Sequence, residues 1–196
     1  YHCTRLTASE IRAVKDSGLK ILTKELVWER FNQALDDGHL TKEQILEIES
    51  GDDLKDNLDD KNGVRTEMIW FCANRSLLRE YRGVYRLLRS WGGEAVYRGH
   101  ENDDPLSQTI RNVGTPCIVK CALPFSEAGH FWINFSERFL SYLVTDVIES
   151  PEPHAQFEIY ANRNLAPTEI LEIFDISHPE FVQLLDYNKW KDEFPL

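Results

Sequence analysis

The chain has 196 residues, 42% hydrophobic and 11% aromatic, which is enough to bury a sizeable core as one domain. Its formal net charge of −11 argues against broad electrostatic adhesion to nucleic acid or anionic lipid. No apolar run reaches the roughly 18 residues of a membrane span, and the first residues lack the basic and apolar regions of a signal peptide, so a cytoplasmic protein is expected. The four cysteines, Cys3, Cys72, Cys117 and Cys121, contain no CxxC pair and sit mostly in apolar runs. Reduced, buried thiols are expected, with no disulfide framework and no metal site.

Tyr1-His2-Cys3-Thr4 reads as a short opening strand. His2 beside Thr4 offers a ring and a hydroxyl to a ligand's sugar; the plainer alternative is a histidine satisfied locally. Thr7 with Glu10 makes a capping box for a helix through about Ser17, Gly18 ends it, and Leu19 can fold back as the apolar contact beyond the cap. Val27, Phe31 and Leu35 recur at every fourth position and predict an amphipathic helix over 26–35. Thr41 with Gln44 predicts another over 41–49. The acidic segment GDDLKDNLDDKNG lacks the spacing and closing Glu of a calcium loop, and reads as a solvated loop.

TEMIWFCA, over 66–73, reads as a strand too apolar to be wetted on both faces. Asn74-Arg75-Ser76 leads to a helical turn at Leu77 to Tyr81. In GVYRLLRSWGG, Val84, Leu87, Leu88 and Trp91 keep helical spacing and Gly92-Gly93 stops the helix. Arg82, Arg86 and Arg89 share another face, either a solvated stripe or a phosphate contact suited to paired guanidinium donors. Glu94 to Arg98 suggests a short strand and Ile110 to Thr115 a loop. TPCIVKCAL, over 115–123, reads as a buried central strand. Phe131 to Phe135 suggests an aromatic strand or core-packed loop, and Ser136 to Glu149 a helix with Phe139, Leu140, Leu143 and Val147 inward.

Phe157 to Tyr160 and Ile170 to Phe174 read as two short strands with a bend between them. If Phe157 and Ile159 face the core, alternation sends Glu158 to the other side. There it is either an ordinary wet-face glutamate or a carboxylate held out to a ligand by rigid backbone. Ser177 is the expected cap of a last helix through about Leu185, with Pro179 in its first turn. Helices and strands do not alternate one-to-one, so the expected class is α+β with a split or curved, mainly antiparallel sheet.

Three stretches, in this order, resemble the ADP-ribosyltransferase superfamily: His2-Cys3-Thr4 followed by a helix and Gly18-Leu19; Ile69-Trp70-Phe71-Cys72-Ala73; and Glu158 on a late strand. The second and third are most similar to the DNA-targeting ADP-ribosyltransferase toxins. Those carry an aromatic pair followed by Arg-Ser and apolar residues, as in Trp70-Phe71-Cys72-Ala73-Asn74-Arg75-Ser76. Their catalytic glutamate begins a strand followed by a Pro-containing bend and an Ile-rich strand, as in FEIYANRNLAPTEILEI. The resemblance implies one domain over 1–196 with the split sheet and flanking helices of that family, carrying a helical and acidic insertion at about 24–63. It implies Glu158 as the catalytic glutamate, Arg75 as a catalytic or NAD-positioning arginine, and His2 and Thr4 as NAD contacts. Tyr81 falls where related sequences stack an aromatic on nicotinamide, a role for which Trp70 and Phe71 compete.

NAD is then the expected substrate, and the acceptor a macromolecule (DNA, RNA or protein) modified by a toxin or defence effector. The arginine-rich helix, the GGEAVYRGHE segment and the acidic charge depart from the DNA-targeting group and leave the acceptor open. The chemistry suits these residue types. Breaking the nicotinamide–ribose bond develops oxocarbenium character, which a carboxylate at the ribose stabilises more in the transition state than in the ground state. Two other readings stand beside this one: an NAD glycohydrolase with water as acceptor, and a non-catalytic module whose arginine face binds a phosphate-bearing or acidic partner.

Overall fold

Strand β3 (Thr115–Cys121) is the centre of the larger sheet, and its sequence explains why: Cys117, Ile118 and Val119 are 0% exposed, so side chains on both faces are covered. It pairs antiparallel with β1 (His2–Leu6) on one side and β5 (Ile170–Asp175) on the other. A second antiparallel pair joins β2 (Ile69–Cys72) to β4 (Glu158–Ala161). The computed structural model describes residues 1–61, 63, 65–79, 81–102, 104–130, 135–137, 139–140, 144 and 158–196, without the side chains of Tyr81 and Arg82. Of the strand or loop expected over 131–135, residues 131–134 lie outside the description and Phe135 is helical; most of the helix expected over 136–149, with Leu143 and Val147, and Phe157 also lie outside it. Residues 135–137, 139–140 and 144 are helical, with Phe139 half-buried, but Leu140, expected inward, is exposed. The architecture is α+β, with two small, open antiparallel sheets among the described residues, flanked by helices.

Helix α1 (Ala8–Ser17) starts from the expected capping box: Glu10 N donates to Thr7 Oγ1 at 3.2 Å and Thr7 N to Glu10 Oε2 at 2.7 Å. Gly18 ends it at φ 80°, packed so closely on Leu165 that a Cβ would lie 1.7 Å from that carbonyl oxygen. Leu19 turns back into the core beside Val14. Helices α2 (Lys24–Asp36) and α3 (Lys42–Ser50) follow the predicted periodicity, the latter with its Thr41 and Gln44 capping box.

Four local expectations change. The acidic segment is not a solvated loop but includes helix α4 (Asp52–Asp59). Leu54 and Leu58, one turn apart, are buried, while Asp52 and Asp53 sit in the first turn, where the helix dipole favours carboxylates. Asn57 fixes the dock by donating to the carbonyl of Ala95 at 3.3 Å. After α5 (Arg75–Leu78) and α6 (Tyr81–Arg89), the segment expected as a strand is a short helix, α7 (Glu94–Tyr97). It begins at Gly93, whose carbonyl receives the N–H groups of Val96 and Tyr97. The loop expected from Ile110 is the end of helix α8 (Pro105–Asn112), capped by Asp104 with Pro105 in its first turn and Ile110 fully buried. The last helix, α9 (Pro179–Leu185), is capped by His178 and not Ser177: Glu180 N donates to His178 Nδ1 at 3.1 Å, while Ser177 turns onto Asp175.

Three apolar clusters hold these elements. One joins α2, α3 and α4 to Trp91, Val96, Leu106 and Ile110, so the helices of the 24–63 segment share their core with the α6–α8 region. A second packs Leu88, Phe174, Phe181 and Leu185 around Cys3 and Ile118. The third sets Leu6, Leu19, Phe71, Val119 and Leu165 between the two sheets. The bend after β4 carries the chain from one sheet to the other. Arg163 secures it through two hydrogen bonds to Glu169, at 2.8 and 2.7 Å, and one to Glu127 at 2.6 Å.

Candidate functional site

The two sheets meet, and then part, at the start of β1. Tyr1 and Cys72 exchange backbone hydrogen bonds of 2.9 and 2.8 Å, as neighbouring antiparallel strands do. At Trp70, two residues back along β2, the carbonyl is bonded by the ring Nδ1 of His2 at 2.9 Å. The imidazole fills the gap between the strands, and its edge meets the Phe71 ring at 6.0 Å between centroids.

Alternation places His2, Thr4 and Leu6 on one side of β1, where they line a cavity of about 270 Å³ closed by α1, Gly18-Leu19 and α2. Burial is the main cause that lowers the His2 pKa to about 4; the Trp70 bond opposes it, and nearby positive charge, that of Arg30 included, reinforces it. The ring is therefore neutral at neutral pH. Because the Trp70 carbonyl only accepts, Nδ1 carries the proton and Nε2 is an acceptor.

Glu10 and Arg30 line the same cavity and form a cluster that sequence reading missed. Glu10 was legible only as a helix cap. Its carboxylate also accepts from Arg30 Nε at 2.6 Å and from Trp91 Nε1 at 2.9 Å, and the Arg30 guanidinium lies over the Trp91 indole at 4.8 Å. Burial would raise the Glu10 pKa, but the Arg30 charge and the bonds from Arg30, Thr7 and Trp91 outweigh it and hold the group below its ordinary value.

Glu158 opens β4 and is exposed. It stands directly opposite Cys72, which puts the two side chains on one face of the small sheet, and the next pair on that face is Trp70 with Tyr160, rings 5.2 Å apart. The interaction of the Cys72 and Cys3 thiols with each other is the largest cause that raises the pKa of Cys3 and lowers that of Cys72. Arg75 begins α5 and is exposed, its Nε donating to the Tyr1 hydroxyl at 3.3 Å.

The Tyr1–Cys72 junction thus gathers His2 next to Tyr1, Arg75 on the Tyr1 side chain, and Glu158 across from Cys72. The cavity takes His2 and Thr4; its described lining does not include Trp70, Phe71, Arg75 or Glu158. Phe71 is 5% exposed and belongs to the core between the sheets. The side chain of Tyr81 lies outside the described residues. Among the described residues, no cluster of three His, Cys, Asp or Glu side chains is placed to hold a metal ion, and no helix is long and apolar enough to cross a membrane. Compared with protein-family models, curated proteins and solved structures, the chain matches none.

Proposed function

We propose that the chain is an NAD-consuming ADP-ribosyltransferase acting on a macromolecule. One observation carries the reading: His2, Arg75 and Glu158 come from three distant stretches, yet all are tied to the junction where the sheets part, His2 on the face that lines a cavity of about 270 Å³ and Arg75 and Glu158 on the face of Tyr1 and Cys72. That volume falls just under the roughly 300–1,000 Å³ of usual ligand sites. In this reading the cavity takes one end of the dinucleotide, and the remainder lies along the gap between the sheets.

Glu158 accepts a hydrogen bond from the 2′-hydroxyl of the nicotinamide ribose and faces the positive charge that develops at the anomeric carbon. The carbon–nitrogen bond breaks with its electron pair leaving on nicotinamide. The acceptor's nucleophilic atom bonds to the same carbon and gives up its proton. Arg75 holds the pyrophosphate through its paired donors and so fixes the reacting carbon relative to the acceptor. His2, neutral with Nε2 as acceptor, takes a sugar hydroxyl, and Thr4 supplies a second polar contact. Trp70 shares a face with Glu158 and suits ring stacking better than the buried Phe71.

The test is incubation with labelled NAD and separate pools of protein, DNA and RNA. The expected result is nicotinamide release with label transferred to one pool. Glu158→Gln, at an exposed position, keeps the thermal midpoint and loses release by about a hundredfold or more. Undiminished release in that variant removes the role assigned to Glu158, and absence of NAD turnover by the unaltered chain rejects the enzyme. Free ADP-ribose without a labelled macromolecule assigns water as acceptor.

A further inference from the structure

Cys3 and Cys72 come from strands of different sheets and meet where those sheets join. Tyr1 and Cys72 exchange backbone hydrogen bonds of 2.9 and 2.8 Å, and Cys3 lies two residues along β1, on the Tyr1 side of that strand. Cys72 is therefore its diagonal neighbour across the junction, and both side chains pack in one apolar cluster with Leu78 and Phe174. Cys117 and Cys121 are placed differently. Thr4, which faces away from Cys3, stands opposite Cys117, and both of these other thiols belong to the cluster between the sheets.

All four cysteines are free, and they are not equally reactive. Cys72 is half-buried, and its interaction with Cys3 lowers its pKa against the opposing effects of burial and Glu158. Burial pushes Cys117 up to about 12 and Cys121 up to about 11. The thiolate is the form that reacts with an oxidant, so Cys72 is the thiol to react first. Cys3 is then the neighbour able to resolve the product.

Diagonal strand neighbours stand roughly 7–8 Å apart between Cα atoms, and a disulfide spans about 4.4–6.8 Å, so a bridge here draws β1 and β2 together. The junction can yield. One residue past the Tyr1–Cys72 pair the gap is spanned by a rotatable side chain, the His2 ring on the Trp70 carbonyl.

We propose that Cys72 and Cys3 form a hydroperoxide-sensitive pair, which oxidation joins in a reversible disulfide that narrows the gap between the sheets. The Cys72 thiolate attacks a peroxide oxygen, the O–O bond breaks, and hydroxide leaves a sulfenic acid behind. The Cys3 sulfur then bonds to that of Cys72, the S–O bond breaks, and the departing hydroxide takes the Cys3 proton as water. Two thiols and one peroxide give one disulfide and two waters. The bridge does not depend on the NAD reading; its effect on turnover does.

The experiment treats the full chain with hydrogen peroxide, counts free thiols in denaturant and maps the peptides by mass spectrometry. The count is expected to fall from four to two, with the Cys3 and Cys72 peptides joined, and dithiothreitol restores all four. In Cys72→Ser the loss of thiols slows about tenfold or more, because the reactive sulfur is gone. Four surviving thiols, a Cys72 sulfinic acid beside a free Cys3, or a bridge to Cys117 or Cys121 overturns the proposal. Nicotinamide release falls several-fold in the bridged chain and returns with dithiothreitol; release at the full rate in the bridged chain overturns the narrowing. No release in either state rejects the NAD reading alone, and the thiol count still decides the bridge.

Discussion

Glu10 caps its own helix and also joins two other elements through Arg30 and Trp91. Glu10→Ala leaves a largely buried guanidinium without its anion and an indole N–H without its acceptor. We expect a loss of about 3 kcal/mol, read from urea unfolding. The cap was legible because it is written in four consecutive residues. Arg30 and Trp91 lie 20 and 81 residues further on, and no local periodicity encodes those contacts. His2 carries a second expectation. Its pKa is lowered from 6.5 to about 4 on folding, so between those values the unfolded chain binds more protons than the folded one. Its share of stability is fully present above pH 6.5 and is lost as the pH falls towards 4, with a ceiling of ~3 kcal/mol. In His2→Asn, the drop in urea midpoint between pH 7 and pH 4.5 becomes smaller than in the unaltered chain. The strand that carries His2 and Thr4 was legible, and both side chains line the cavity; the Trp70 carbonyl that orients the ring, 68 residues away, was not legible.

Gly18 ends α1 at a φ that side chains rarely adopt, against the Leu165 carbonyl. Gly18→Ala therefore carries both backbone strain and a clash that flexible side chains cannot relieve. We expect it to cost at least ~2 kcal/mol in a denaturant series, more than removal of an ordinary helix cap. Helices with clear start signals and periodic apolar residues, such as α1 and α3, were legible in the sequence. The misses share a cause. In α4 the charges outnumber the apolar positions, and only the partner surface, Ala95 and its neighbours, makes Leu54 and Leu58 core residues. In α7 the run Ala95-Val96-Tyr97 is too short for its period to be read, and the left-handed Gly93 decides for a helical turn. The cap falls on His178, whose Nδ1 accepts from Glu180 N, while the Ser177 hydroxyl is turned away to donate to Asp175.

The apolar clusters of the described residues cross the boundaries that sequence alone suggests. The segment 24–63 reads as an insertion, but α2, α3 and α4 cover Trp91, Val96, Leu106 and Ile110. Replacing it with a short linker is expected to yield a chain with no cooperative thermal transition by circular dichroism. A cooperative remainder would show the segment to be an appendage. The mixture of elements made the α+β class legible. It did not reveal that β4 and β5, close in sequence, enter different sheets, because successive strands usually neighbour one another. That crossing carries Glu158 to the Tyr1–Cys72 junction while β5 completes the larger sheet. Among the described residues, β1 and β2 exchange backbone bonds at Tyr1 and Cys72, and beyond that an imidazole occupies the carbonyl of Trp70. The width of the aperture is thus governed by a rotatable ring and not by the fixed spacing of a ladder. A swing of that ring would admit a flat guest while every rung of both sheets stays closed.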